Sequence, residues 1–211
     1  MCIDEKIQIL NELKKEHNQF RECFLVGTIY LSDIYAAACL NRSLCLLSGF
    51  SSMIEAKNFI VAAPILRLQL DNVLRFYALW NVNDPSGFVM EVIKGTRIDK
   101  LKDKNGKFMR DSYLVDIISA DYPWIKSVYT NCSGYIHLSE KHIFNCWKVD
   151  NPDEFEIKIS PEDIYIQEDI YLEAIDAFIE TTGILLRYME AFCRSKDLIT
   201  RPNASTPNEA P

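Results

Sequence analysis

The sequence is short of the residues that interrupt regular structure. Its 211 residues include only seven glycines and eight prolines. Because these two residues are the strongest local breakers of helices and strands, the long stretches without them favour helices. Hydrophobic residues make up 48% and charged residues 25% of the chain. This near-average composition excludes collagen-like or wholly disordered sequence and indicates a folded globular protein.

Long apolar runs are missing as well. The most apolar stretch, residues 24–40, is interrupted by Ser32 and Asp33, and it is shorter than the roughly 20 apolar residues that span a bilayer. Charged residues also interrupt the first 20 residues, which therefore lack the apolar core of a secretory signal. We expect a cytoplasmic protein that does not enter a membrane.

The seven cysteines contain no C-x-x-C pair. Most of them stand among apolar residues, which favours free buried thiols in a reducing cytoplasm. Neither cysteines nor histidines form two close ligand pairs, so we expect no zinc site, no other metal and no cofactor. The cysteines are Cys2, Cys23, Cys39, Cys45, Cys132, Cys146 and Cys193.

The net charge of −7 is unevenly distributed. Residues 150–180 hold eleven acidic residues and one basic residue, Lys158. Residues 94–110, in contrast, hold seven basic residues against Asp99 and Asp103. The overall charge argues against a general nucleic-acid-binding surface, but the first two thirds of the chain could still bind an anion.

Apolar spacing predicts a mainly α-helical bundle with a small peripheral β-hairpin at about 142–160. One helical domain spans residues 1–195, and residues 196–211, which are poor in apolar residues, are predicted to form a disordered tail. The predicted helices cover about 3–19, 20–47 (ending near Ser48 and Gly49), 51–58 (capped by Ser51 or Ser52), 64–82 (with Pro64 near its first turn), 111–119 (capped by Asp111), 121–139 and 167–195.

Charged residues mark one side of the apolar helix predicted over residues 60–80. Arg67, Asp71 and Arg75 fall within a sector of about 80° at the helical spacing of 100° per residue. Guanidinium groups match phosphate and carboxylate, so this side predicts a pocket wall in which Asp71 holds the arginines toward an anionic ligand. The alternative is an ion-pair ladder that faces solvent or clamps a neighbouring helix.

A second group of polar residues lies in the segment 129–139. If this segment is helical, Ser133 and His137 lie on one face, four residues apart. They are candidate catalytic residues, with His137 as base, Ser133 as nucleophile and Asp71 orienting the ring. The alternative is a structural or surface histidine. His142 stands five residues after His137, so the two do not form a metal-binding i, i+4 pair.

The basic stretch 94–110 contains Gly106 and Lys107. It is not a phosphate-binding P-loop, because Leu101 stands where that motif requires a glycine. Its lysines could contact nucleic acid, or they could belong to a solvated surface turn.

The order of these segments resembles a group of bacterial helical proteins of unknown function. The resemblance covers about residues 50–195 and is carried by A-P-I-L-R-L-Q-L-D, by Y-T-N-C-S-G-Y-I-H-L-S, and by Arg67, Asp71, Ser133 and His137 within them. That group is similar in turn to HEPN helical bundles. The resemblance implies a dimer that cleaves RNA without metal through an R-x(4–6)-H pair. This chain departs from the motif, because Asn131 and Cys132 occupy positions where the arginine would stand.

Taken together, the sequence predicts a non-enzymatic binding module that forms a homodimer. The predicted ligand is an anionic small molecule or RNA, bound by Arg67, Asp71, Arg75, Ser133 and His137. One alternative is a degenerate HEPN-type ribonuclease of a toxin or phage-defence system in which His137 performs acid–base chemistry. The other is a structural protein that meets a basic partner through the acidic 150–180 face.

Overall fold

The computed structural model describes residues 1–20, 23–24, 28–151 and 154–200. Over these residues it is a mainly α-helical bundle with one small antiparallel hairpin, which confirms the predicted fold class. The elements are α1 (Ile3–Asn18), α2 (Leu31–Glu55), α3 (Phe59–Trp80), α4 (Pro85–Ile93), α5 (Asp111–Ile118), α6 (Ile125–Ser133), α7 (Glu140–Cys146), β1 (Trp147–Asn151), β2 (Glu154–Ile157) and α8 (Glu168–Thr200).

Helix α3 lies at the centre of the bundle, packed against α2, α5, α6 and α8. Leu70, Val73, Leu74 and Phe76 of α3 are completely buried. Each such side chain contributes about 1.5–3 kcal/mol of transfer free energy. Because α3 is covered on so many sides, its few charged side chains pair with charged residues of neighbouring helices. These ion pairs determine where the candidate site lies.

The outer helices supply the remaining core. Ile7, Leu10 and Leu13 of α1 are buried at the predicted three- and four-residue spacing. Phe50 of α2 stacks on Phe178 of α8, with ring centroids 4.1 Å apart. The amphipathic pattern of the first helix is therefore confirmed, and α2 and α8 meet through aromatic packing.

The predicted boundaries of the second helix are wrong at both ends. Helix α2 begins at Leu31 and passes through Gly49 to Glu55. Ser51 does not cap a new helix, since its hydroxyl donates to the Leu47 carbonyl within α2 at 2.9 Å. The separate helix predicted over 51–58 is therefore absent, because its first residues belong to α2. The chain turns after α2 at Lys57, which has a φ of 50°.

The predicted helix over 121–139 is also wrong in extent, because α6 ends at Ser133. Ser139 begins a new short helix, α7, by accepting a hydrogen bond from the Lys141 amide at 3.3 Å. Consequently the hairpin starts at Trp147 rather than near 142, and β1 pairs antiparallel with β2. Residues 152 and 153 of the predicted turn lie outside the described residues.

The chain's final helix is longer than the sequence predicts. Helix α8 continues through Thr200, so the part of the predicted tail at 196–200 is helical. Residues 201–211 lie outside the described residues. Within the part that is described, no helix is long and apolar enough to cross a membrane.

The prediction that all cysteines are free is wrong. A disulfide joins Cys23 to Cys193, with Cα atoms 5.9 Å apart. The other five cysteines are free. Burial raises the pKa of Cys39 to about 12 and that of Cys132 to about 11, so these two thiols are protonated and poorly reactive near neutral pH.

Candidate functional site

The three charged residues on α3 lie together, as their spacing predicts, and two carboxylates organise them. Asp71 forms ion pairs with Arg75 of its own helix at 2.9 Å and with Arg42 of α2 at 3.0 Å. Asp111 of α5 accepts from Arg67 at 3.3 Å and also from Arg75. Three guanidinium groups thus share two carboxylates, which leaves one net positive charge in this cluster.

Asp111 is the site residue that sequence reasoning missed. It was expected only as a helix cap, whereas the cap position is held by Arg110 and Asp111 is the first residue of α5. A carboxylate is favourable there because the free amide groups at a helix start carry partial positive charge. An acidic residue at a predicted helix start was the available signal, but no local pattern shows that it pairs with arginines more than 30 residues away.

Arg75 is the most constrained member of the cluster. Burial lowers the pKa of its guanidinium, but the charges of Asp71 and Asp111 outweigh that effect and the pKa is raised overall. Its Nη1 atom is buried and donates no hydrogen bond. A buried donor without an acceptor costs about 1–3 kcal/mol, so an acceptor that reached this nitrogen would stabilise the site.

A cleft of about 570 Å³ opens beside the cluster. The cleft is defined by its lining residues, which are Arg75, Arg97, Ile98, Asp99, Arg110, Asp111, Ser112 and Tyr129. Arg97 binds Asp99 through two nitrogens, at 3.0 and 2.8 Å. Arg110 is exposed and forms no ion pair with any residue that the structure describes. The cleft therefore has three arginines against two carboxylates on its walls.

Tyr129 of α6 closes one side of the cleft. The guanidinium of Arg67 lies over its ring, 4.0 Å from the centroid, an arrangement favoured by the negative face of an aromatic ring. The Ser133 hydroxyl donates to the Tyr129 carbonyl at 2.6 Å. Arg67 and Ser133 therefore contribute to the position of Tyr129, one through its ring and the other through its backbone.

Ser133 and His137 do not share a helix face, because α6 ends at Ser133. His137 follows in the turn and is exposed. Among the described residues, no hydrogen bond links it to Ser133, to Asp71 or to an arginine. The structure thus brings Arg67, Asp71 and Arg75 together, places Ser133 behind Tyr129, and leaves His137 outside this cluster.

A histidine and a serine do meet elsewhere, in the core. His17 of α1 faces the Leu13 carbonyl through Nδ1 at 2.6 Å, so Nδ1 donates and Nε2 accepts from the Ser43 hydroxyl at 2.9 Å. Gln69 of α3 donates to Ser43 at 2.7 Å and to Thr182 of α8 at 3.0 Å. We call these four side chains, His17, Ser43, Gln69 and Thr182, the core polar network. Each of the four residues is 1% exposed or less, so the network is sealed from solvent. It links α1, α2, α3 and α8.

The basic stretch contains a fixed turn that is attached to α5. Asp103 accepts hydrogen bonds from the amides of Asn105 and Lys107, at 2.9 and 2.8 Å, and from the Tyr113 hydroxyl at 2.6 Å. Gly106 occupies a φ of 78°, which favours glycine. Since Tyr113 belongs to α5, the turn is attached to the helix that carries Asp111.

Part of the acidic 150–180 face has a structural role. Asp163 is buried and accepts from the Ile60 amide at the start of α3 at 2.8 Å. Asp176 forms an ion pair with Lys6 of α1. Asp163 therefore joins the loop before α8 to α3, and Asp176 joins α8 to α1.

No family model matches the chain, and neither a curated protein nor a solved structure is detectably similar to it. The resemblance to HEPN bundles therefore stays a prediction. Within the described residues, no group of three histidine, cysteine, aspartate or glutamate side chains could hold a metal ion.

Proposed function

We propose that this protein is a non-enzymatic binding module whose cleft binds a phosphate-bearing ligand, either a small molecule or the end of an RNA. The observation that carries this proposal is the concentration of Arg75, Arg97 and Arg110 on the walls of one cleft. Guanidinium groups bind phosphate oxygens through paired hydrogen bonds, which are about twice as strong as neutral ones.

The cleft residues have different roles in this proposal. Arg110 has no ion pair within the described chain and is the first contact for the ligand. Arg97 lies at the rim, with its side chain 77% exposed, and can exchange Asp99 for a phosphate. Arg75 lines the cleft wall and is fixed there by its ion pairs with Asp71 and Asp111. Asp71 and Asp111 hold Arg75 in place, which reduces the entropy that this side chain loses when a ligand binds.

The positioning of the arginines favours binding over catalysis. Neither Ser133 nor His137 lines the cleft, so no candidate base or nucleophile from the sequence faces a bound phosphate. The ribonuclease alternative would require an arginine beside His137, and none is bonded to it among the described residues.

A direct test compares three fluorescent probes by anisotropy at low salt. The probes are an oligoribonucleotide with a 5′-phosphate, the same oligonucleotide with a 5′-hydroxyl, and a labelled nucleoside monophosphate. We expect both phosphorylated probes to bind, and we expect Arg110→Ala to weaken them about tenfold, as loss of one charge-assisted contact predicts. If only the oligonucleotide with the phosphate binds, the ligand is an RNA end.

The matched control is Lys126→Ala. Lys126 is an exposed cation on α6 that does not line the cleft, so its loss removes the same charge at a different place. Equal weakening by the two variants would mean that only overall charge matters and would contradict a site. Failure of both phosphorylated probes to bind the wild-type chain would contradict the proposal altogether.

We also propose that the chain is cytoplasmic and acts as a homodimer. The dimer is supported by a cluster of exposed apolar side chains in residues 136–159, which a monomer would leave in water. These side chains belong to Ile136, Leu138, Ile143, Phe144, Ile157 and Ile159, and their exposed fractions range from 46% to 96%. The contacts of α7 and the hairpin are chiefly with each other, so a second copy could cover them.

A further inference from the structure

The Cys23–Cys193 disulfide lies on the wall of a cavity remote from the arginine-lined cleft. The cavity measures about 480 Å³ and is lined by both cysteines together with residues of α1, its C-terminal continuation, and α8. Both cysteines are half-buried rather than sealed. Cavities of this size accommodate small organic molecules, so a thiol of low molecular weight fits beside the two cysteines.

Charged groups around the disulfide distinguish its two sulfur atoms. The ammonium group of Lys196 donates to the Cys23 carbonyl at 3.2 Å and forms a buried ion pair with Asp33 at 3.1 Å. This ion pair fixes the backbone at Cys23, while Asp33 balances the charge of Lys196. The charged side chains Arg187, Glu190 and Arg194 line the cavity from α8, the helix that carries Cys193, so a thiol bound by them lies next to Cys193.

Two arginines of α8 line the same cavity. Arg194 is paired with Glu190 at 2.6 Å. The guanidinium of Arg187 lies 5.6 Å from the centroid of the Tyr122 ring. Among the described residues, no ion pair joins Arg187 to a carboxylate. Glu16 of α1 lines the cavity as well, so a thiol that carries both carboxylates and an ammonium group would pair with Arg187 and Glu16 as it approached Cys193.

We propose that Cys23–Cys193 is a reversible thiol–disulfide exchange site for small acidic thiols such as the tripeptide glutathione. The thiolate attacks Sγ of Cys193, a bond forms between the two sulfurs, and the Cys23–Cys193 bond breaks. Its electron pair leaves on Sγ of Cys23, which takes a proton from water. A second thiolate then attacks the sulfur of the attached thiol, so that Cys193 leaves as a thiol after protonation and the two small thiols depart as their disulfide.

The experiment counts thiols in the full-length folded protein. Purified protein is incubated with glutathione, excess thiol is quenched by acid, and free cysteines are alkylated in denaturant and located by peptide mapping. Before reduction we expect alkylation at the five free positions. After incubation, Cys23 and Cys193 should also react, while circular dichroism and resistance to protease show that the chain stays folded throughout.

Two comparisons test the proposed direction and specificity. Acid quenching early in the reduction of the wild-type chain traps the mixed disulfide, and we expect peptide mapping to find the attached glutathione on Cys193 rather than on Cys23. Arg187→Gln should slow reduction by glutathione about two- to fivefold, as expected for one partly exposed charge. It should leave reduction by the uncharged thiol 2-mercaptoethanol unchanged.

Several results would overturn the proposal. Alkylation of all seven cysteines before any reduction would show that the bond does not form. Reduction only under conditions that unfold the chain would show a sealed structural bond. Equal effects of Arg187→Gln on both thiols would remove the preference for acidic thiols, and a trapped adduct on Cys23 would contradict the assigned point of attack.

Discussion

Asp111, the first residue of α5, forms an ion pair with Arg75 in the middle of α3. The same carboxylate accepts a hydrogen bond from Arg67, two turns earlier on α3. The short helix α5 is thereby bound to two guanidinium groups of the central helix α3. The cleft lies beside this contact. The geometry of the candidate site depends on this one carboxylate more than on any other.

Replacement of Asp111 by Asn should therefore destabilise the protein. The substitution retains the shape and removes the charge, which leaves Arg67 and Arg75 with one carboxylate fewer. Their side chains are 12% and 21% exposed, so we expect a loss of about 1–3 kcal/mol in the free energy of unfolding, less than for a fully buried pair. Urea titration measures this difference.

Asp116→Asn provides the control for that measurement. Asp116 is on the same helix and pairs with Lys126, but both side chains are at least 60% exposed. Exposed pairs contribute about 0–1 kcal/mol. A loss at Asp111 no greater than at Asp116 would show that the arginine cluster does not stabilise the contact between α3 and α5.

The core polar network predicts that stability depends on pH through His17. Burial lowers the pKa of His17, although the Leu13 carbonyl and Glu16 act in the opposite direction. The unfolded chain takes up a proton near the ordinary histidine pKa of about 6.5, whereas the folded chain takes it up only at lower pH. The free energy of unfolding should therefore be highest above that value and fall as the pH decreases, by up to about 1.4 kcal/mol per pH unit.

This contribution is isolated by comparing the wild-type chain with His17→Gln between pH 7 and pH 5. We expect the variant to show a shallower decline in stability, whatever its starting stability. His137→Gln serves as the control, since His137 is exposed and lies outside the core network. Parallel pH profiles for the wild type and His17→Gln would refute a role for His17 in acid sensitivity.

The proposed dimer should dissociate when the apolar side chains of α7 become charged. Phe144 is 61% and Ile143 is 55% exposed, so the double variant Ile143→Lys and Phe144→Lys should fold normally. Burial of each side chain at an interface contributes up to about 1.5–3 kcal/mol, so the dissociation constant should rise at least tenfold. Sedimentation equilibrium measures it directly.

A matched variant distinguishes this surface from others. Ile29 and Ile34 are similarly exposed, at 55% and 54%, but flank the start of α2. Lysine at these two positions should leave the dissociation constant unchanged. A wild-type chain that sediments as a monomer at micromolar concentration would refute the dimer.

The sequence alone determined the features that repeat along one helix. The spacing of Ile7, Leu10 and Leu13 predicts the buried face of α1, and the spacing of Arg67, Asp71 and Arg75 predicts that their charges share one side of α3. Both follow from the 3.6-residue period of the helix, which relates residues three and four positions apart whatever surrounds them. The mainly α-helical class follows from the same period and from the scarcity of breakers.

Only the tertiary structure decided which distant residues meet. The contact of Asp111 with Arg75, the hydrogen bond of His17 with Ser43 and the bond of Cys23 with Cys193 span 36, 26 and 170 positions of the chain. No helical period relates such positions, because their proximity depends on how α1, α2, α3, α5 and α8 pack. The end of α6 at Ser133 likewise placed His137 outside the site, since the helix that would have aligned them stops one turn too early.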